Sequence, residues 1–220
     1  MDDPFIVTRA ATSEACDILD LMWDAYYPDE PTTSFLGLGR NRNSVFDDQA
    51  LKVLAQGYSI VARCKYNGSL VGASLNSITV PWDPKMTEKF ACTLSDDKMT
   101  KLFMFFAYLQ KVPRLWERYC DLQVFEMANV FVRRSDRRKG VAGRLVRASR
   151  DLAADTGFRI VRVDATNVHT ATLCDRLKMR MVYELPYCSY LGEDNNPVID
   201  PPKPNTSVKV YIDTPLSWTN

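Results

Sequence analysis

Patterns that ligate metals or lock disulfides are missing from this chain. Its six cysteines, Cys16, Cys64, Cys92, Cys120, Cys174 and Cys188, lie far apart. No two of them form Cys-x-x-Cys, which excludes a zinc knuckle and a thioredoxin-type redox motif. There is a single histidine, His169, and no metal is expected. No apolar run reaches the roughly 18 residues of a membrane span. Met1-Asp2-Asp3-Pro4 does not read as a secretory leader. The expectation is a cytoplasmic protein with reduced thiols and no membrane partner. Net charge is +1, so the chain as a whole is not a polyanion binder, and no nucleic acid partner is expected. Two phosphate motifs are also absent: G-x-x-x-x-G-K-[ST], and an early G-x-G-x-x-G with an acid about 20 residues on. Without repeats or a dividing linker, residues 1–220 read as one domain with ample length for a core.

What is present is unevenly charged. From Arg133 to Arg150 there are eight basic residues and one acid, Asp136, a density suited to an anionic ligand. At its centre runs Arg137-Arg138-Lys139-Gly140-Val141-Ala142-Gly143. Before it, Phe125 to Val132 (FEMANVFV) reads as a buried strand. After it, Val141, Leu145, Ala148 and Leu152 recur at helical spacing. Glycine lets the backbone approach a ligand, and the free amides and dipole of a helix start favour negative charge. The turn alone leaves an anion site and a solvated basic helix face both open.

The rest of the chain reads as mixed α/β (α+β). Phe5 to Val7 is a strand, and Ile18, Leu21, Met22 and Ala25 mark a helix that Pro28 ends. Asp29 to Asn43 reads as a loop and Val45 to Gln56 as a helix. Strands Tyr58 to Lys65 and Leu70 to Val80 flank the hairpin signal Asn67-Gly68. Pro81 to Cys120 turns helical. Thr156-Gly157 closes the helix of the basic segment. Arg159 to Ala165 is a strand, His169 to Leu177 a helix, Met181 to Tyr190 a strand, the proline-rich Gly192 to Thr206 an excursion, and Val208 to Ile212 a last strand.

Arg137-x-x-Gly140-x-Ala142 resembles the R/Q-x-x-G-x-G/A signature of the GCN5-related N-acetyltransferases (GNAT), and it stands between a central strand and a helix as it does there. Three stretches resemble the insect arylalkylamine (dopamine-type) N-acetyltransferases: Tyr26-Tyr27-Pro28-Asp29-Glu30-Pro31, Leu115-Trp116-Glu117-Arg118-Tyr119, and the helical insert between Pro81 and Cys120. The resemblance covers the whole chain. It implies a central twisted mixed sheet flanked by helices, acetyl-CoA as cosubstrate and a small primary amine as acceptor, in a monomer or weak dimer. It implies that Val130, Phe131 and Val132 offer main-chain groups to the pantetheine arm. It also implies that Arg137, Arg138, Lys139, Gly140, Val141, Ala142 and Gly143 hold the pyrophosphate. Lys139 departs from the small residue common at its position.

Acetyl transfer needs a neutral amine. An alkylammonium titrates near 10.4, so deprotonation at pH 7.4 costs roughly 4 kcal/mol, and a base is valuable. The resemblance makes Glu30 that base, and gives Thr170, with Cys174 one turn on, a role near the coenzyme sulfur. His169 and the tyrosines Tyr183, Tyr187 and Tyr190 are weaker candidates for proton transfer. Tyr26, Tyr27 and Phe35 are candidate walls of an aromatic acceptor pocket. Asp29 stands among the carboxylates, with Asp24, Asp47 and Asp48, that a second cationic end would require. The implied acceptors are dopamine, serotonin, tyramine or octopamine. Agmatine, polyamines, and protein lysines or N-termini are alternatives.

Overall fold

Period-two alternation carries seven strands into one sheet and divides their side chains between two helical layers. The computed structural model describes residues 3–215. The strands are β1 (Phe5–Arg9), β2 (Ile60–Cys64), β3 (Leu70–Thr79), β4 (Val124–Val132), β5 (Val161–Ala165), β6 (Arg180–Pro186) and β7 (Ser207–Asp213). The helices are α1 (Ala15–Ala25), α2 (Pro31–Phe35), α3 (Ser44–Ala55), α4 (Asp83–Ala91), α5 (Asp97–Lys111), α6 (Leu115–Tyr119), α7 (Val141–Asp155) and α8 (Val168–Arg176). The sheet order is β1-β2-β3-β4-β5-β7-β6. On one face Val61, Ala73, Leu75 and Phe131 pack with Ile18 and Met22 of α1 and with Leu102 and Phe105 of α5. On the other, Ile60, Ala62, Val71 and Val132 meet Val141 and Leu145 of α7. Among the described residues no helix is long and apolar enough to cross a membrane.

The one parallel pair, β4 and β5, is joined only at Phe125↔Val161 and Glu126↔Arg162. Just beyond, Leu75 faces Asn129 while Asn76 faces Met127, so Ala128 is an unpaired bulge residue in β4. On its other edge β5 pairs with β7 along its whole length, from Val161 to Ala165. The two strands therefore part, and the far half of β4 turns an unpaired main-chain edge toward the gap.

A charged cluster marks the point of parting. Arg162 is fully buried, and its Nε and Nη2 donate to the two oxygens of Asp164 at 2.8 and 2.7 Å. Nη2 also donates to the Leu109 carbonyl at 2.8 Å and Nη1 to that of Gln110 at 3.5 Å, so Arg162 caps the last turn of α5. Glu126 Oε1 lies 3.8 Å from Arg162 Nε. Burial pushes the Glu126 carboxyl up to about 7, with Arg162 opposing the shift. Since this lies above the ordinary 4.5, Glu126 contributes fully to stability below about pH 4.5 and loses that contribution as pH rises through about 7. Glu126→Gln is expected to flatten that decline. Thermal unfolding midpoints measured across this window should fall less in the variant than in the wild type, and equal slopes would exclude Glu126 as the source.

Two segments differ from the sequence-based expectation. The stretch Asp29 to Asn43 is not all loop: Pro31 at the first helical position starts α2, and Glu30 caps it. The strand expected to run from Met181 to Tyr190 ends at Pro186, where the chain turns into a 3-10 segment over Tyr187–Ser189. Gly39 packs the end of the Asp29–Asn43 segment against the chain ahead of Glu30: a Cβ at that position would stand 2.1 Å from the Tyr27 carbonyl oxygen.

Candidate active site

The basic turn is wired to its surroundings by two carboxylates. Gly140 takes φ +81° as the residue before α7, a conformation glycine adopts without strain. The first helical bond is Arg144 N–H to the Gly140 carbonyl, at 3.2 Å. The amides of Val141, Ala142 and Gly143 precede it and point out of the helix. Buried Asp136 accepts from Arg133 Nε at 2.7 Å and Lys139 Nζ at 2.9 Å. Burial works against its charge, but Lys139 and Arg133 outweigh it and hold the carboxyl below the ordinary range. Arg137 donates to the carbonyls of Val132 at 3.1 Å and Ala25 at 2.6 Å, and pairs with Asp29 at 2.8 Å. Lys139 and Arg137 are therefore braces within the fold. Arg138 makes no ion pair among the described residues and carries a positive φ of 64°. Outward amides beside this unpaired guanidinium suit a diphosphate.

Glu30 lies on the far side of the same junction. It is 4% exposed and caps α2 with one oxygen. Oε2 accepts from Thr32 Oγ1 at 2.6 Å, Thr33 N at 2.8 Å and Thr33 Oγ1 at 3.0 Å. Oε1 is buried and has no partner among the described residues. Asn129, next to the β4 bulge, donates its side-chain amide to Tyr26 Oη at 2.9 Å. Tyr187 donates its hydroxyl to the Thr166 carbonyl, just past β5, at 2.8 Å. Burial pushes the phenols of Tyr26 and Tyr187 well above their ordinary value, and the nearby Glu30 carboxylate pushes both further. Glu30 thus faces two neutral phenols and an amide at the mouth of the parted strands.

Asp29 points the other way. It pairs with Arg134 at 2.9 Å as well as with Arg137, and these guanidinium groups, Arg134 foremost, hold its carboxyl below the ordinary range. The neighbouring acid is thereby committed to the basic turn, whereas Glu30 keeps one buried oxygen without a partner among the described residues.

No protein-family model matches the chain, and no curated protein matches its sequence. Solved structures do. Arylalkylamine N-acetyltransferase 2 from Aedes aegypti superposes with a TM-score of 0.91 at 22% identity, covering 97% of this chain and 100% of that one. The Drosophila melanogaster polyamine N-acetyltransferase, which forms N-acetylagmatine, gives 0.87 at 21% identity, with 96% and 99% covered. This is the GNAT fold. A more distant structure, yncA of Salmonella typhimurium with its cofactor acetyl-CoA, gives 0.56 at 14% identity over 99% of this chain and 98% of that one.

Within the GNAT fold the remaining sequence candidates separate. Val130, Phe131 and Val132 occupy the freed half of β4. Thr170 is in the first turn of α8, where its amide donates to the cap Asn167 at 2.8 Å. Cys174, named above for a role near the coenzyme sulfur, lies in the core. It is 1% exposed among Met127, Val146 and Tyr211, and burial pushes its thiol up to about 12, so it stays protonated and enclosed. Tyr27 is buried as well: its ring stacks on Phe46 at 4.7 Å and meets the Tyr26 ring edge-on at 5.3 Å. Phe35 is exposed on α2. Tyr26 alone of the three reaches the cleft, packing on Phe131 at 5.7 Å. Tyr183 meets Tyr108, hydroxyl to hydroxyl, at 3.3 Å, and Tyr190 packs on Phe105 and Tyr108. His169 is exposed.

Asn129, Thr32 and the Arg162 cluster were not singled out from sequence. Asn129 shares β4 with one other polar residue, Glu126, and a polar residue in a largely apolar strand is the signal that could have found it.

Proposed function

We propose that this protein transfers the acetyl group of acetyl-CoA to the primary amine of a small arylalkylamine, by direct attack with both substrates bound and with Glu30 as general base. The observation that carries the reading is the buried, unpartnered Oε1 of Glu30 beside the parted strands. An ammonium entering that cleft meets one carboxylate oxygen with no competing donor. Acetyl-CoA supplies the activated acyl group. The freed edge of β4 in the segment Val130 to Val132 offers main-chain groups, those of Val130 foremost since the Val132 carbonyl is taken by Arg137, to its amide-bearing arm, and the Gly140 turn offers amides to its diphosphate. Glu30 takes one proton from the ammonium at Oε1, which leaves the nitrogen lone pair free to attack the thioester carbon. Tyr26, fixed by Asn129, and Tyr187, fixed by Thr166, border that carboxylate as neutral hydroxyls. Thr170, at the start of α8, is the hydroxyl we assign to the departing sulfur.

The aromatic acceptor is favoured over a dicationic one by charge. Of the four carboxylates a second cationic end could use, Asp29 is held by Arg134 and Arg137, and Asp47 by Arg42 and the Trp23 indole. Asp24 and Asp48 face solvent. The aromatic side chains near Glu30, Tyr26 and Tyr187 with Phe131 and Phe105 packed behind them, are of a kind that suits an aryl group. The likeness to an arylalkylamine enzyme of Aedes aegypti points the same way, while the polyamine enzyme of Drosophila melanogaster makes agmatine the comparison to run.

The test follows thiol release from acetyl-CoA with dopamine, serotonin, tyramine, octopamine, agmatine and a lysine peptide. Turnover is expected with the arylalkylamines, at higher kcat/KM than with agmatine. Acetylation of the peptide with no turnover of any small amine would overturn the proposal.

A further inference from the structure

The two oxygens of Glu30 are treated unequally, and the difference is built from two residues of the chain beside it. Oε2 receives a hydroxyl, an amide and a second hydroxyl, from Thr32 and Thr33, while Oε1 receives nothing from the described residues. We propose that Thr32 and Thr33 are positioning residues that hold Glu30 so that Oε1 alone takes the acceptor's proton, with the Thr32 hydroxyl the contact on which the rate depends. This deepens the reading of Glu30 as the base and rests on it.

Three observations single out Thr32. It is fully buried, and its hydroxyl has one hydrogen bond, to Oε2 at 2.6 Å. That is the short range of a hydroxyl bound to a charged oxygen. Thr33 differs. Its hydroxyl has one proton and three acceptors within reach: the Tyr27 carbonyl at 2.9 Å, Glu30 Oε2 at 3.0 Å and the Glu30 carbonyl at 3.1 Å. The Thr33 hydroxyl therefore divides its service between the loop and the carboxylate, whereas Thr32 serves the carboxylate only. The Thr33 amide is a fixed donor, since α2 itself sets its direction. A glutamate side chain has three rotatable bonds. Held at its backbone by Ser34 N–H on its carbonyl at 2.9 Å and by its own N–H on the Tyr26 carbonyl at 2.8 Å, and at Oε2 by these donors, it presents Oε1 in one direction. Loss of that direction by about 1 Å can cost on the order of 100-fold in rate.

A purely structural role for Thr32 would show in stability and leave the turnover of the folded fraction untouched. The experiment compares wild type, Thr32→Val, Thr32→Ser and Glu30→Gln with dopamine and acetyl-CoA each varied in turn while the other is saturating, with folded fraction checked by unfolding midpoint. Thr32→Val is expected to lower kcat about 10-fold or more while KM for acetyl-CoA stays within about 2-fold. Thr32→Ser, which keeps the hydroxyl, is expected to restore kcat to within about 3-fold of wild type. Thr32→Ala replaces the valine variant should that one fail to fold. Wild-type kcat in Thr32→Val or Thr32→Ala, or a serine variant as slow as either, overturns the positioning role and leaves Glu30 as base. Wild-type kcat in Glu30→Gln overturns the base and the positioning role together.

Discussion

Replacing Glu30 with glutamine is expected to lower kcat/KM by about 10²- to 10⁴-fold near neutral pH, the range that a positioned general base supplies. Glutamine keeps the length of the side chain and a carbonyl oxygen that can accept from the Thr33 amide, so the α2 cap is retained. What disappears is the oxygen able to take a proton. An alkylammonium loses its proton unaided near 10.4, so the deficit should shrink as pH rises toward that value and more free amine enters the cleft. The pH–rate profile of the variant is therefore steeper on the alkaline side than that of the wild type. The measurement is kcat/KM for dopamine from about pH 6 to 10 in both proteins. Parallel profiles would remove Glu30 as the base, even if the variant were slow. Asp29 cannot replace it: its carboxylate is turned away and committed to Arg134 and Arg137.

Where the fold rests on periodicity, it is readable in the chain. Val141, Leu145 and Leu152 set the face of α7, and the largely apolar run Phe125 to Val132 set the buried strand beneath it. The site is only partly readable, for physical reasons that differ by residue. The parting of β4 from β5 leaves no mark on composition, because it is a matter of register: a bulge at Ala128 and a ladder that stops at Glu126. Five-residue α2 was hidden by its cap, since glutamate is not among the side chains that ordinarily start a helix. Thr170 and Cys174 share a helical face by spacing, yet spacing does not say how far the core reaches along that face, and burial claims Cys174. Tyr26 and Tyr27 are neighbours that point to opposite ends of the problem, one to Asn129 and one to Phe46. Glu30 was named through resemblance; its burial and its free oxygen became visible only in three dimensions.

Arg162→Met is expected to be the most destabilising of these substitutions, by about 3–5 kcal/mol. The guanidinium is fully buried and satisfies Asp164, Leu109 and Gln110 together. Methionine fills much of the volume but leaves a carboxylate and two helix-end carbonyls without their donor, and leaves Glu126 without its nearest positive charge. Chemical denaturation should show the loss as a lower midpoint. The last turn of α5 should exchange its amides faster than the strands do. Removing the stranded charge as well, in Arg162→Met/Asp164→Leu, is expected to recover part of the loss, because a buried ion pair replaced as a whole costs far less than one broken in half. A double variant no more stable than the single one would show that Arg162 acts mainly through the α5 carbonyls.

Gly39 carries a different kind of constraint. Any side chain there collides with the carbonyl of Tyr27 and with the bond into Pro28, and the next two residues are Asp29 and Glu30. A residue with no functional group, nine positions from the proposed base, therefore governs where that base sits. Substitution at Gly39 is filtered by this backbone-to-backbone contact, so the freedom to vary lies with the solvent-facing side chains of the Asp29–Asn43 segment and not with the glycine that closes it from behind.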